Sequence, residues 1–221
     1  AQESRGLGDV YKRQVIYIHG KNGSADEANN YKQFFNDNYE IIGFDYKSKF
    51  PWQAKEEFQK YFDFIIPKYN ETLLIGNSIG AYFSMISLSE KQIKKAMFIS
   101  PIVDMENVIL NMMKWENVSE EELEAKKIIN TSFGEPLLWE YFSYVRKNSI
   151  VWDIPTSILY GEKDNITSLN IMNNFANKIN VDLTILKNGE HWFHTEEQIN
   201  FLNNWFKKSI CSNTDNNSIT V

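Results

Sequence analysis

The chain has 221 residues, of which 43% are hydrophobic and 24% are charged, and this composition predicts one soluble globular domain with a sizeable core. Its net charge of −6 and its lack of a Lys/Arg cluster argue against a face that binds a phosphate backbone, so nucleic acid is not an expected partner. The single cysteine excludes an internal disulfide, and no apolar run is long enough for a membrane span.

Both ends of the chain are predicted to lie outside the folded domain. Residues 1–14 are polar and aperiodic, and the stretch RGLGDVYKRQ at 5–14 looks like translated sequencing-adaptor read-through, so this leader is excluded from fold reasoning. It contains no apolar stretch that would indicate a signal peptide, and a cytoplasmic protein is expected. Residues 209–221 are rich in Asn, Ser and Thr and predict a disordered tail. The domain is therefore expected to span residues 15–208.

Short apolar runs alternate with segments of helical periodicity along most of this domain. The first half predicts strands at 15–19, 39–44, 71–76 and 95–100, with helices at 24–36, 52–66 and 79–88. The second half predicts strands at 156–161 and 181–186, with helices at 168–178 and 195–207. This alternation predicts an α/β fold, in which helices cover both faces of a mostly parallel sheet of about six strands.

Residues 104–150 interrupt the alternation. They carry no strand signal and predict two or three amphipathic helices, the second of which starts at a capping box formed by Ser119 and Glu122. A helical insertion of this size between two strands predicts a cap over one end of the sheet that also lines a substrate pocket. Large aromatic side chains dominate such pockets. The candidate substrate contacts are Trp115, Trp139, Tyr141, Phe142 and Tyr144.

A candidate nucleophile, Ser78, lies in the segment Gly76–Gly80 (GNSIG), between a predicted strand and a predicted helix. A serine at so tight a turn is held in strained backbone geometry with its hydroxyl exposed. The chain reverses so sharply that the positions two before and two after the serine must be small, and both are glycine. The helix that starts at Ile79 directs its N-terminal N–H groups towards the reacting oxygen.

A serine hydroxyl needs a base to take its proton, and the chain has three histidines. His191 follows the last predicted strand, at the sheet edge where sites gather in open α/β folds, and is the favoured base. His194 is the competing candidate, whereas His19 is expected to bond within its own loop. No third ligand accompanies His191 and His194, so no metal site is expected.

The imidazole in turn needs a carboxylate that fixes its tautomer. Asp164 follows the strand at 156–161, and the chain order Ser, Asp, His favours it for this role. Glu162 and Asp153 are the alternatives. An isolated aspartate after a strand is more often a helix cap or a turn residue. Asp164 is therefore assigned as the partner of His191 only because it occurs together with Ser78 and His191.

The negative oxygen of a tetrahedral intermediate needs hydrogen-bond donors. The backbone N–H of Ile79 is one candidate donor. The other is expected from the loop after the first strand, with the backbone of Lys21 favoured over that of Asn22. Gly20 and Gly23 allow this loop to approach a substrate closely.

With these residues assigned, the chain resembles the α/β-hydrolase superfamily over residues 15–207. Four segments carry the resemblance and occur in the order that the family shows: YIHGKNG, LLIGNSIG, LYGEKD and NGEHWF. The resemblance implies acylation of Ser78 and then hydrolysis by a water activated through His191, without a cofactor. It also implies that the insertion is the lid of this family.

Three features depart from the pattern of the superfamily. The family normally has two further strands before the strand that ends in His-Gly, so this chain is either a minimal or a truncated version of the fold. It lacks the HGGG loop of many lipases and esterases, which disfavours bulky and long-chain esters. A serine in the place of an aspartate at the turn disfavours a dehalogenase.

The expected function is therefore hydrolysis of carboxylic esters with small or medium acyl groups, and the expected partner is a small-molecule ester. A thioesterase, an acyltransferase or a peptidase would use the same three residues. A non-catalytic binding protein of the same fold is the remaining alternative, although such a protein has no need of Ser78, Asp164 and His191 together.

Overall fold

The computed structural model describes residues 13–211. Its main feature is a sheet of six parallel strands in the order β2-β1-β3-β4-β7-β8. These strands are β1 (Arg13–Ile18), β2 (Tyr39–Phe44), β3 (Glu71–Asn77), β4 (Lys95–Ile99), β7 (Thr156–Gly161) and β8 (Asp182–Leu186). Two further short strands, β5 (Ile128–Ile129) and β6 (Leu137–Leu138), form a separate antiparallel pair. The predicted fold class is confirmed.

Seven α-helices and two 3₁₀ helices accompany the strands within residues 13–211. The α-helices are α1 (Pro51–Ile65), α2 (Ile79–Ser87), α3 (Met105–Trp115), α4 (Glu120–Lys126), α5 (Trp139–Lys147), α6 (Leu169–Ile179) and α7 (Glu196–Cys211). The 3₁₀ helices are Ala25–Phe34 and Ile66–Lys68. No helix in this part of the chain is both long and apolar enough to cross a bilayer.

The four central strands β1, β3, β4 and β7 are buried on both faces, as their unbroken apolar runs predict. In β1, Ile16 and Ile18 belong to a core shared with α1 and α2, whereas Val15 and Tyr17 belong to a core shared with α7 and the longer 3₁₀ helix. This alternation follows from the two-residue period of a strand. Because both cores surround the same central strands, the carboxyl ends of β1, β3, β7 and β8 are held at one edge of the sheet.

The structure corrects both predicted ends of the domain. β1 begins at Arg13, so Arg13 and Gln14 belong to the sheet and not to the leader, and the amide of Gln14 donates to Thr72 Oγ1 over 2.8 Å. α7 continues to Cys211, and the backbone oxygen of the buried Ser209 accepts a hydrogen bond from Lys95 Nζ. The rest of the predicted leader and tail lies outside the described residues.

The insertion between β4 and β7 contains the predicted helices, but the absence of strands from it was a wrong prediction. Leu137 and Leu138 form β6 and pair with β5, and α5 starts one residue later at Trp139. The predicted cap at Ser119 is present on one side, since its Oγ accepts from the N–H of Glu122 over 3.2 Å. The insertion is therefore three helices and a short β-ribbon.

One arginine connects the three helices of the insertion. Arg146 on α5 donates from Nε to Glu106 on α3 over 2.6 Å and, through both terminal nitrogens, to the carboxylate of Glu120 on α4. Its guanidinium also lies 4.0 Å from the centre of the ring of Phe142, which is fully buried. A bidentate pair such as Arg146–Glu120 is stronger than a single ion pair, although solvent screens the attraction at this partly exposed site.

We therefore expect Arg146→Gln to lower the free energy of unfolding by about 1 kcal/mol, and the loss to shrink in about 1 M NaCl. Lys147→Gln, one residue along the same helix, removes an equal charge and should have almost no effect. Urea unfolding of both variants at low and high salt measures the difference. Equal effects of the two substitutions would contradict a connecting role for Arg146.

Candidate active site

The turn between β3 and α2 holds Ser78 in an unusual backbone conformation, with φ of 50° and ψ of −117°. A non-glycine residue in this region carries a strain of about 1–3 kcal/mol, which the surrounding structure must offset. Backbone hydrogen bonds do so here. The N–H of Ser78 donates to Ile99 on β4 over 3.0 Å, and its carbonyl accepts from Tyr82 and Ile102, both over 3.3 Å. The serine is thereby held between the sheet and the first turn of α2.

The two glycines that flank the turn are required by space. A Cβ atom on Gly80 would lie 2.3 Å from the carbonyl oxygen of His19, and one on Gly76 would lie 3.0 Å from the ring of Phe98 and from the backbone of Ala81. The first of these contacts would be with backbone, which cannot move aside locally. The close packing at Gly80 also brings the loop after β1 against the serine turn.

The structure brings Ser78, His191 and Asp164 into one chain of hydrogen bonds. Ser78 Oγ lies 2.9 Å from His191 Nε2, and His191 Nδ1 lies 2.6 Å from Asp164 Oδ2. A carboxylate can only accept, so Nδ1 carries the proton, and Nε2 of the neutral ring is left to accept from the serine hydroxyl. This tautomer is the one that a general base for Ser78 needs.

Asp164 is the one acidic residue among the buried residues that the structure describes. Its Oδ1 accepts from the N–H groups of Ile166 and Thr167 over 2.8 and 3.0 Å, while Oδ2 faces His191. Backbone donors stabilise the charged form of a buried carboxylate and fix its orientation. The aspartate therefore caps its own turn and binds the imidazole at the same time.

The competing candidates lie elsewhere. The ring of His194 is directed away from the serine, since Nδ1 lies 2.8 Å from the carbonyl oxygen of Trp192 and the two rings stack at 4.9 Å. The carboxylate of Glu162 accepts from the N–H of Asn188, and Asp153 is exposed. Neither acid has a contact with His191 among the described residues.

The loop after β1 lies beside the serine. A Cβ built on Gly20 would be 3.4 Å from Ser78 Cβ, and the N–H of Gly23 donates to Gly20 O to close a turn. No hydrogen bond is made by the N–H of Lys21 or of Ile79 to another described residue. The two predicted donors are thus unpaired within residues 13–211, as donors to a substrate oxygen would have to be.

His19 contributes to the shape of this loop and has no contact with Ser78 in the described structure. Its Nδ1 donates to Gly20 O over 2.8 Å, and its ring stacks on that of Tyr46 at 4.3 Å. The hydroxyl of Tyr46 donates in turn to His19 O over 3.0 Å.

Two residues that no sequence motif indicated, Tyr17 and Glu27, support the loop after β1 on the side of the 3₁₀ helix. Tyr17 OH donates to Glu27 Oε2 over 2.5 Å, and Glu27 Oε1 accepts from the N–H of Ser24 over 3.2 Å. Burial, then the neighbouring Tyr31 and then Glu27, raise the pKa of Tyr17 well above its usual value, so this hydroxyl remains a donor. In the sequence, the three-residue spacing of Ser24 and Glu27 at the start of a helix is the signal that could have predicted the hydrogen bond from the N–H of Ser24 to Glu27.

An ion pair joins the insertion to the loop beside the serine. Lys21 Nζ lies 2.5 Å from Glu135 Oε1, and Glu135 is in the segment between β5 and β6. Both side chains are half exposed, which places the contact at the surface. The β-ribbon of the insertion therefore lies next to the predicted oxyanion donor.

The aromatic residues proposed to contact a substrate do not share one environment. Phe142 is fully buried within the insertion, where the guanidinium of Arg146 lies over its ring. Trp115 is 66% exposed, and its ring lies 6.1 Å from that of Phe133. Tyr141 and Tyr144 instead face Trp52 at the start of α1. Trp139 packs edge-on against Phe142.

Comparison with solved structures defines the class of the fold. Mouse alpha/beta hydrolase domain-containing protein 10 gives a TM-score of 0.70 at 16% identity, over 90% of each chain. Est1E from Butyrivibrio proteoclasticus gives 0.72 at 14% identity, over 93% of this chain and 89% of that one. An esterase from Pyrococcus furiosus gives 0.56 at 21% identity, over 91% and 81%. The chain has the α/β-hydrolase fold.

The family follows from the sequence. The family model described as "Uncharacterised protein family (UPF0227)" matches residues 14–200, and the chain belongs to this family. No curated protein matches the chain by sequence.

The short bond between His191 and Asp164 has a spectroscopic consequence. A proton on Nδ1 that is held 2.6 Å from a buried carboxylate should resonate far downfield of the backbone amides in a proton NMR spectrum. We expect this resonance to be lost in Asp164→Ala and in His191→Gln, and to be retained in His194→Gln. Its persistence in His191→Gln would show that the signal and the bond belong to another histidine.

Proposed function

We propose that the protein is a serine hydrolase that cleaves carboxylic esters of small or medium acyl groups through an acyl-enzyme on Ser78. The observation that carries this proposal is the continuous hydrogen-bond chain from Ser78 through His191 to Asp164, at a strained turn at the carboxyl edge of the sheet. A side chain held in that conformation, with a base at hydrogen-bond distance, is typical of an activated nucleophile.

Each step of the reaction has a residue in place. His191 Nε2 takes the proton of Ser78 as Oγ attacks the ester carbonyl carbon, and Asp164 stabilises the imidazolium that forms. The backbone N–H groups of Ile79 and Lys21 bind the negative oxygen of the tetrahedral intermediate. His191 then gives its proton to the leaving alcohol. A water then attacks the acyl carbon as it loses a proton to His191, and His191 returns that proton to Ser78 Oγ as the bond to the acyl carbon breaks and the acid is released.

The insertion at residues 104–150 is proposed to cap this site. The ion pair between Lys21 and Glu135 supports this assignment, because it joins the insertion to the loop that provides an oxyanion donor. Of the aromatic residues named above, Tyr141 and Tyr144 are retained as substrate contacts, since they face the main domain.

Ester cleavage is favoured over the other reactions of the same three residues. Thioesterases, acyltransferases and peptidases share the machinery, and the fold does not separate them. Est1E has been solved with ferulic acid bound, and the similar protein from Pyrococcus furiosus is an esterase. Small soluble esters are thus the first substrates to assay.

Loss of the nucleophile gives the most direct test. We expect Ser78→Ala to lower the turnover of 4-nitrophenyl acetate and butyrate by about 10³-fold or more, because only the oxyanion donors and binding contacts remain. A fluorophosphonate probe should label the wild type and not this variant. Ser87→Ala is the matched control, on the same helix and with a hydroxyl that has no partner in the described structure. Labelling of Ser78→Ala, or near-native turnover by it, would refute the proposal.

The two histidines of the loop after β8 provide a second test. His191→Ala should be almost as damaging as Ser78→Ala, because groups that act as one unit give non-additive losses. His194→Ala should leave turnover of the same ester at pH 8 close to wild type, since its ring bonds to Trp192 and not to the serine. An inactive His194→Ala beside an active His191→Ala would reverse the assignment of the base.

A further inference from the structure

Glu27 is a half-buried carboxylate beside the loop after β1, and the reaction steps given above leave it without a role. Its two oxygens have separate partners. Oε2 accepts from the hydroxyl of Tyr17 over 2.5 Å, and Oε1 accepts from the N–H of Ser24 over 3.2 Å. Hydrogen bonds to a carboxylate are about twice as strong as those between neutral groups. Glu27 therefore ties a residue of the sheet to the backbone at the end of this loop.

The same carboxylate lies against the turn within the loop. A Cβ atom on Gly23 would lie 2.8 Å from Glu27 Oε1, so a side chain at this position would displace the carboxylate. The N–H of Gly23 donates to Gly20 O over 3.1 Å and closes the turn. Lys21, whose backbone N–H is a proposed oxyanion donor, is inside this turn. Glu27 therefore supports one end of the segment that carries the donor.

The other end of the turn lies against the proposed nucleophile. A Cβ atom on Gly20 would lie 3.4 Å from Ser78 Cβ and 3.5 Å from the carbonyl oxygen of Asn77. The segment that carries the N–H of Lys21 is thus held between two contacts, the serine turn at its start and the carboxylate of Glu27 at its end.

Tyr17 anchors this carboxylate to the centre of the sheet. It lies in β1, is 1% exposed, and has its ring 5.1 Å from that of Tyr31. Burial raises the pKa of Tyr17 above its usual value, so the hydroxyl keeps the proton that it donates to Glu27. Asn77, the residue before the proposed nucleophile, acts on the same hydroxyl through its side chain and opposes this rise in pKa. Tyr17 is therefore next to the serine turn as well as to Glu27.

We infer that Tyr17 and Glu27 are positioning residues of the oxyanion site, which together hold the turn that carries the N–H of Lys21 next to Ser78. The inference rests on the proposed function and adds two residues to it. In this role neither side chain touches the substrate, because both act through the backbone of the turn. A donor stabilises a developing charge only where it is held in advance. Release of the turn therefore slows the chemical step and leaves binding of the ester in place.

Substitutions of Glu27 test this role. We expect Glu27→Ala to lower kcat for 4-nitrophenyl butyrate by about 10²-fold and to leave KM within about twofold, because a displaced donor loses binding to the transition state and not to the substrate. Glu27→Gln keeps the size of the side chain but has one acceptor oxygen in place of two, and it should lose about 10-fold in kcat. Asp26→Asn, which removes an exposed carboxylate one residue earlier, is the matched control and should keep the wild-type kcat.

Tyr17→Phe has a matched control at the opposite edge of the sheet. Tyr39 OH donates to Glu71 Oε1 over 2.9 Å, and these two residues begin β2 and β3. Tyr17→Phe and Tyr39→Phe each remove one hydrogen bond to a glutamate, so both should lower the melting temperature. Only Tyr17→Phe should lower kcat, by about 10-fold at an unchanged KM. Adding Tyr17→Phe to Glu27→Ala should slow the enzyme no further, because the two residues act as one unit.

A transition-state analogue gives a readout that a general loss of stability does not move. When phenyl trifluoromethyl ketone binds, Ser78 Oγ adds to the ketone carbon, the serine proton passes to His191, and the ketone oxygen becomes a negative hemiketal oxygen that needs the same donors. Its inhibition constant should rise in Glu27→Gln and in Tyr17→Phe by the factor by which kcat falls. The inhibition constant should stay at the wild-type value in Asp26→Asn.

The outcomes separate this inference from the proposed function. Wild-type kcat in both Glu27→Gln and Tyr17→Phe would overturn the positioning role and leave the proposed hydrolase intact. Equal losses of kcat in Tyr17→Phe and Tyr39→Phe would overturn it as well, because they would reflect stability alone. A raised KM with an unchanged kcat in the Glu27 variants would also contradict it. A wild type that neither hydrolyses an ester nor binds the ketone would overturn both proposals.

Discussion

The contact between two backbone turns, at His19 and Gly80, is the constraint on which the site depends. The carbonyl oxygen of His19 occupies the space that a side chain on residue 80 would need, so the loop after β1 and the turn after β3 approach as closely as backbone can. The strained Ser78 lies at this junction, and hydrogen bonds to β4 and α2 hold it there. In the proposed hydrolase, Ser78, His191 and the two N–H donors are therefore held in position before a substrate binds, as electrostatic stabilisation of a transition state requires.

Much of this arrangement follows from local sequence, for an identifiable physical reason. A strand that is buried on both faces reads as an unbroken apolar run, and the fully buried β7 coincides with its predicted bounds for that reason. The three residues of the hydrogen-bond chain each follow a strand of the sheet. Since parallel strands end at the same edge of a sheet, their order along the chain was enough to predict that Ser78, Asp164 and His191 would meet.

The features that the sequence did not reveal depend on packing between distant segments. Leu137 and Leu138 fit an apolar helical stripe, and only the pairing with Ile128 and Ile129 makes them a strand. Phe142 was a candidate substrate contact because it is aromatic, and its complete burial within the insertion does not follow from its residue type. The helix at Ala25–Phe34 is 3₁₀, a distinction that an apolar period does not make at this length.

Lys21 combines two roles in one residue. Its backbone is the proposed partner of the oxyanion, while its side chain pairs with Glu135 of the insertion. The insertion and the loop after β1 are therefore not independent modules, because an insertion exchanged for that of another protein of this fold would lose the acid that faces this lysine. Divergence of the proposed lid and of the loop beside it is consequently coupled through this charge pair, and an exchange of one segment between proteins of this fold keeps the pair only when the other segment is exchanged with it.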